Sequence, residues 1–187
     1  MEIFSVEYAV YLFLLALFCA WTEIQLEGKH GWAKNLPCWR PKKSSLTQSI
    51  YSKVMQGKKL TGYHIMIFSF TFLLLHFPFV FVEVEWNWQR ELQTLAAYIL
   101  FGIGADFSWF IWNPHYGRGR FKPESIEWHK SWTLGIPTDY WIGMIVAIIL
   151  TVIAGALKAW INMALIFSGL IIVSCLIAAY WKPGLAY

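Results

Sequence analysis

Five long apolar runs alternate with polar segments of very unequal length, and this alternation sets the expected architecture. The runs cover roughly Tyr8–Trp21, Tyr63–Val84, Leu92–Trp112, Tyr140–Leu157 and Trp160–Ala179. Each is too long and too evenly apolar to be a barrel strand, so each predicts a membrane-crossing helix. A helix needs about 20 apolar residues to cross the hydrocarbon, so the first run suffices only if Ser5 to Leu26 all contribute. Only Lys158 and Ala159 separate the last two runs, which predicts a tight helical hairpin. Pro78 predicts a kink in the second run after His76. Gly102 and Gly104, the pair Gly143 and Ala147, and the pair Ala164 and Ser168 are the small residues expected where helices touch.

The polar segments carry their own periodicity. In "SSLTQSIYSKVMQG", Ser45 is a candidate N-cap, Leu46, Ile50, Tyr51 and Val54 share a face, and Gly57 can close the turn. This predicts a short helix lying on the membrane, with Lys53, Lys58 and Lys59 near lipid phosphates. In "KPESIEWHKSW", Pro123 suits a helix start and Trp128 and Trp132 are four apart, which predicts a second interfacial helix.

Composition agrees with the pattern. The 187 residues are 58% hydrophobic and 14% charged, whereas a soluble domain is about one quarter charged. The distribution of charge says more than the net +4. The loop after the first run holds Lys29, Lys34, Arg40, Lys42, Lys43, Lys53, Lys58 and Lys59. The loop after the third holds Arg118, Arg120, Lys122 and Lys130, and Lys182 follows the fifth. The other side has only Arg90 and Lys158. By the positive-inside rule the N-terminus is expected outside, and the C-terminus and both long loops in the cytosol. Tryptophans at the run ends fit an aromatic belt. Glu2 and Glu7 stand where a cleavable leader would carry lysines, so the first run is expected to remain as a span. The expected fold is therefore an all-α integral membrane protein, one polytopic domain over 1–187, with five transmembrane helices and two interfacial ones.

Three cysteines, Cys19, Cys38 and Cys175, show no paired spacing and predict neither a disulfide framework nor structural zinc. The candidate chemistry lies in polar side chains within or beside apolar runs. Asp106 sits about 9 Å below the inner end of the third run, where an unpaired carboxylate costs a few kcal/mol. It must face the bundle, be protonated or have a partner. Glu23, Glu27 and His30 share one helical face if the first helix continues past Trp21, and a Glu-x-x-His spacing suits di-iron carboxylate bundles. They are the candidate ligands for a divalent metal ion, although such bundles use two copies of the motif and this chain has one. Gly28 and Gly31 oppose the helix there. His64, His115, Glu124, Glu127, His129 and Asp139 fall at the same membrane boundary, and His76 lies in the outer half of the second run. "NPHYGRGRFKP" sets Arg118, Arg120 and Lys122 among glycines, a composition that suits anionic lipid headgroups.

No P-loop, Rossmann glycine pattern, GxSxG elbow or HExxH is present, nor the dense histidine sets of membrane desaturases or the acidic motif of CDP-alcohol transferases. Three readings follow. The first is an enzyme acting on a lipid or other hydrophobic substrate at the cytosolic boundary. It would use Asp106, His64, His129 and Glu127 as catalytic acid–base groups, with or without a metal at Glu23, Glu27 and His30. The second is a proton-coupled carrier with Asp106 and His76 as relay stations and Glu83 and Glu85 as the outward continuation. The third is a non-catalytic subunit that docks a partner on the last hairpin. Membrane lipids are the expected partners, and nothing points to nucleic acid.

Overall fold

The computed structural model describes residues 3–82, 84–116 and 118–181, with the Arg118 side chain left out. Glu2, Glu83 and Lys182, named above, lie outside these residues.

Six α-helices account for most of the described chain: α1 Val6–Glu27, α2 Leu46–Val54, α3 Gly62–Phe81, α4 Trp88–Trp112, α5 Thr138–Ile153 and α6 Leu157–Trp181. Four of them, α1, α3, α4 and α6, are long and apolar enough to cross a membrane, which places the chain among multi-pass membrane proteins. The first helix uses the full stretch that a crossing requires. Ser5 caps it by accepting from the Tyr8 N–H, and Gly28 ends it. Thr61 and Asn87 cap α3 and α4 in the same way.

α4 is the spine. α1, α5 and α6 pack along it, whereas α3 leans on it along a narrower line. The side-chain contacts give the directions. Tyr98 donates to the Phe68 carbonyl and His76 meets Glu91, so α3 and α4 run antiparallel. Gly143 abuts Ile99 and Ile103 while Tyr140 meets Asp106, so α5 also opposes α4. Trp112 donates to Ser174 at 2.8 Å, while Gly104 faces Phe167, so α6 runs with α4. Trp21 packs edge-on against Trp112 and Phe13 against Phe167, so α1 runs with both. The C-terminal ends of α1 and α4 and the N-terminal ends of α3 and α5 therefore gather at one end of the bundle, together with both long loops.

The core follows the small residues. Ala9, Leu12, Ala16, Ala96, Ala97 and Ala147 are fully buried with Phe101 and Phe167, because alanines let the helix backbones approach. Gly143 and Ala147 form such a contact, as does Gly104. Ser168 is exposed, and a side chain at Gly102 would meet nothing, so these two are not contact points.

Three local expectations change. The turn between α5 and α6 is Ala154–Ala156, not Lys158 and Ala159, which already lie in α6. Gly155 makes the early stop possible, since its φ of +66° is a conformation that side chains resist. α2 forms as expected, with Ser45 accepting from Gln48. The second interfacial helix does not form. Pro123–Ser125 is a single 3-10 turn, and Trp132–Thr133 pairs antiparallel with Ile136–Pro137 across a two-residue turn. Leu134 and Gly135, at φ +55° and +76°, supply the left-handed pair that such a hairpin requires. The two tryptophans anchor separately: Trp128 stacks on Phe110, and Trp132 meets Phe121 edge-on.

The α4–α6 contact is testable. A Cβ at Gly104 would lie 2.3 Å from Cζ of Phe167, and Phe167 is itself buried. Gly104→Val should lower thermal stability in detergent by the equivalent of about 1–3 kcal/mol, as overpacking does. Adding Phe167→Ala should recover part of the loss.

Candidate functional site

A row of charges crosses the loop end of the bundle. His129 comes from the second loop, just before the hairpin, and its side chain is fully buried. Its Nε2 lies 2.9 Å from Oδ2 of Asp106 on α4, and its Nδ1 lies 3.0 Å from Oδ2 of Asp139 on α5. An imidazole with a carboxylate oxygen at each nitrogen is a donor at both, which is the protonated form. Burial alone would push the His129 pKa down, but the two carboxylates outweigh it and hold it above the ordinary value. The Asp139 oxygen also accepts from Nζ of Lys58 at 2.7 Å, and the Tyr140 hydroxyl donates to Asp106. Asp106, His129, Asp139 and Lys58 thus alternate in sign and sum to zero, which lets four charges sit together in a poorly solvated place. Oδ1 of Asp139 is buried without a hydrogen-bond partner.

Asp106 faces the bundle, and about a quarter of its side chain remains accessible. Glu23 and Glu27 of α1 lie close enough to interact with it electrostatically. Glu23 is half-buried, and the Tyr63 hydroxyl of α3 is directed at it without forming a well-aligned hydrogen bond.

His64 is buried in the first turn of α3. Oγ1 of Thr61 accepts from the His64 backbone N–H at 3.2 Å and lies 2.7 Å from the ring Nδ1. The hydroxyl and Nδ1 share one hydrogen bond, whose donor is set by the ring tautomer. Trp32 stacks on the His64 ring at 4.1 Å, and the Lys58 ammonium sits 4.6 Å over Trp32 on its way to Asp139. Trp32 and Ala33 both have left-handed backbones, at φ +57° and +49°. Side chains strain such a pair, and it persists only where the surroundings impose it. Here the Glu27 carboxylate accepts from the Ala33 N–H, Arg40 donates to the Ala33 carbonyl, and Trp32 Nε1 donates to the Lys59 carbonyl at 2.8 Å.

Of the expected catalytic residues, Asp106 and His129 are in direct contact. His64 stands nearby, within the field of Lys58 and Asp106. Glu127 is elsewhere: it makes an exposed ion pair with Lys34 at 3.0 Å, a contact worth at most about 1 kcal/mol. Glu23, Glu27 and His30 do not assemble as the metal set expected of them. α1 ends at Glu27 with Gly28 turning away, so His30 leaves the helical face, and Glu27 is engaged with the loop backbone. Among the described residues no group of three or more His, Cys, Asp or Glu side chains could hold a metal ion. Lys58 is buried in the charge row, not at lipid phosphates. His76 is bonded to the Phe72 carbonyl and to Glu91 at the opposite end, where it ties α3 to α4.

Sequence reasoning missed Lys58, Tyr140, Tyr63 and Trp32 as parts of the site. The only local signal was the Asp139–Tyr140 pair at a helix start. The chain matches no family model, no curated protein and no solved structure. The fold and the site thus define a class, a helical multi-pass membrane protein with an acid–base cluster at one end.

Removing the central cation should leave Asp106 and Asp139 facing each other. His129→Gln is expected to cost about 3 kcal/mol of stability, as breaking a buried pair does. Because the folded His129 pKa lies above the unfolded value of about 6.5, its contribution is full below that pH. It is lost as the pH rises through the raised folded value. Melting curves in detergent from acid to alkaline pH should show wild type losing stability across that rise, with the slope reduced in His129→Gln.

Proposed function

We propose that the protein is an integral-membrane enzyme that performs acid–base chemistry on a lipid or other hydrophobic substrate at the membrane boundary. The observation that carries this reading is the Asp106 carboxylate. It is fixed on one side by the His129 imidazolium and the Tyr140 hydroxyl and is open on the other. A carboxylate that exchanges a proton with a substrate needs a reachable face, and the Asp106 side chain keeps one. His64, aligned by Thr61 and Trp32, supplies a second proton-exchanging group beside it.

In this reading five helices cross the membrane, α5 being the shortest, and the helix directions leave the two termini on opposite sides. The excess of Lys and Arg at the loop end favours the cytosol for that end. α2 supports a bilayer contact. Leu46, Ile50 and Val54 project from it, exposed, beside Lys53 and Lys59, an arrangement suited to anionic headgroups. The cluster gathers at one end, with the apolar lengths of α5 and α6 beyond it, which favours an enzyme over a carrier.

The test is turnover of membrane lipid. Purified protein in nanodiscs is incubated with a total lipid extract, and lipids are compared by mass spectrometry and chromatography before and after. Wild type should convert one lipid class. Asp106→Asn should slow that conversion by about 100-fold or more, the usual contribution of a positioned acid or base. Identical lipid profiles for both proteins would overturn the proposal.

A further inference from the structure

We propose that a cleft at the end of the bundle opposite the charge row holds the headgroup of one anionic phospholipid, with the Arg90 guanidinium on its phosphate. The inference does not rest on the acid–base reading, because it concerns another part of the molecule. At 1.5 Å per residue, Arg90 stands about 24 Å along α4 from Asp106. The cleft has a volume of about 450 Å³, within the roughly 300–1,000 Å³ of small-molecule sites. Three parts of the chain meet there: the residues just before α1, the start of α4, and the turn between α5 and α6. Their contributions differ in kind. Gln89, Arg90 and Gln93 fall on one face of the first turns of α4, with Asn87 at the cap. Across from them Ile3 and Phe4 are apolar and buried, while Ala156 and Ala159 are small. Gly155 turns the chain from α5 into α6 and sends no side chain into the gap. A polar wall beside an apolar one suits an amphipathic ligand better than a simple ion.

The polar wall is short of partners. Nη1 of Arg90 donates to the Glu85 carbonyl, which steadies the side chain and leaves most of its five donors unused. Among the described residues no carboxylate pairs with it. Its neighbour Glu91 is already engaged, by His76 Nε2 at 3.1 Å and by Trp86 Nε1 at 2.9 Å. Asn87 uses Oδ1 to accept from the Arg90 N–H at 2.9 Å, so its amide hydrogens stay free. A guanidinium with open donors matches a phosphate, and the neighbouring amides match headgroup hydroxyls. Lys158, exposed beside Ala159 on α6, adds a second positive charge at this end. Among the described residues no acidic side chain lines the cleft, so nothing there receives the ammonium of a zwitterionic headgroup. The level also fits a lipid. Trp86 and Trp88, where the chain enters α4, are exposed, and such tryptophans sit at headgroup depth.

Native mass spectrometry of the full chain released from detergent provides the test, with phosphatidylglycerol and phosphatidylcholine of equal chain length titrated separately. Wild type should retain one phosphatidylglycerol and hold it several-fold more tightly than phosphatidylcholine. Arg90→Gln should weaken that binding by about tenfold, as loss of a hydrogen bond to a charged group does, and Arg90→Lys by less. Ala159→Trp keeps every charge but fills the cleft, so it should cause a comparable loss. Melting curves without lipid check that each variant is folded. Lys53→Gln combined with Lys59→Gln, at the loop end, should leave the lipid in place. Undiminished binding in folded Arg90→Gln or Ala159→Trp, equal retention of the two lipids, or loss in the lysine variant instead would overturn the proposal. Inorganic phosphate at the same concentration should not displace the lipid. Displacement would mean a site for the free anion alone and would overturn it as well.

Discussion

The interaction on which this molecule turns is an imidazolium held between two carboxylates at the end of an apolar bundle. Separately, Asp106, Asp139, His129 and Lys58 would each be costly beside a bilayer; in alternation they cancel. The row also does mechanical work. It links the loop before the hairpin to α4 and α5, and through Lys58 it reaches the loop before α3. The charge row thus adds to the apolar packing of the loop on α4, where Trp128 stacks on Phe110, and the places where these segments meet define the site.

Around that row the rest of the fold acts as a holder. α4 offers its alanine- and glycine-rich faces to α1, α5 and α6, which fixes the depth of Asp106 and the position of Tyr140. The first loop is held through its carbonyls: Arg40 reaches three of them, at Ala33, Lys34 and Leu36. That grip keeps Trp32 over His64. The backbone strain at Trp32 and Ala33 is therefore the cost of placing an aromatic ring between a lysine and a histidine.

The helices were legible in the sequence because apolar length is a one-dimensional property. Ser45 and Gly57 bracketed α2, and the need for a partner at Asp106 followed from its depth alone. The partners themselves were less legible. His129 was expected in the same region, but its contact with Asp139 and the role of Lys58 depend on residues 81 positions apart meeting through the fold. The metal reading of Glu23, Glu27 and His30 assumed a helix that runs on, and Gly28 ended it. The expected second interfacial helix rested on tryptophan spacing, while the Leu134–Gly135 turn, a weaker mark, decided the outcome. Glu127 shows the limit of composition: it stands two residues from the central histidine and points to solvent with Lys34.

The shortness of α5 has a further consequence. Its 16 residues, from Thr138 to Ile153, rise about 24 Å, less than the roughly 30 Å of a typical hydrocarbon layer. If α5 crosses, the acyl chains beside it must compress, and the polar row at its start draws the water boundary inward on that flank. Mismatch of this kind favours thin bilayers and shorter-chain lipids as neighbours. The membrane that suits this protein would then be set less by its four long helices than by the one that falls short.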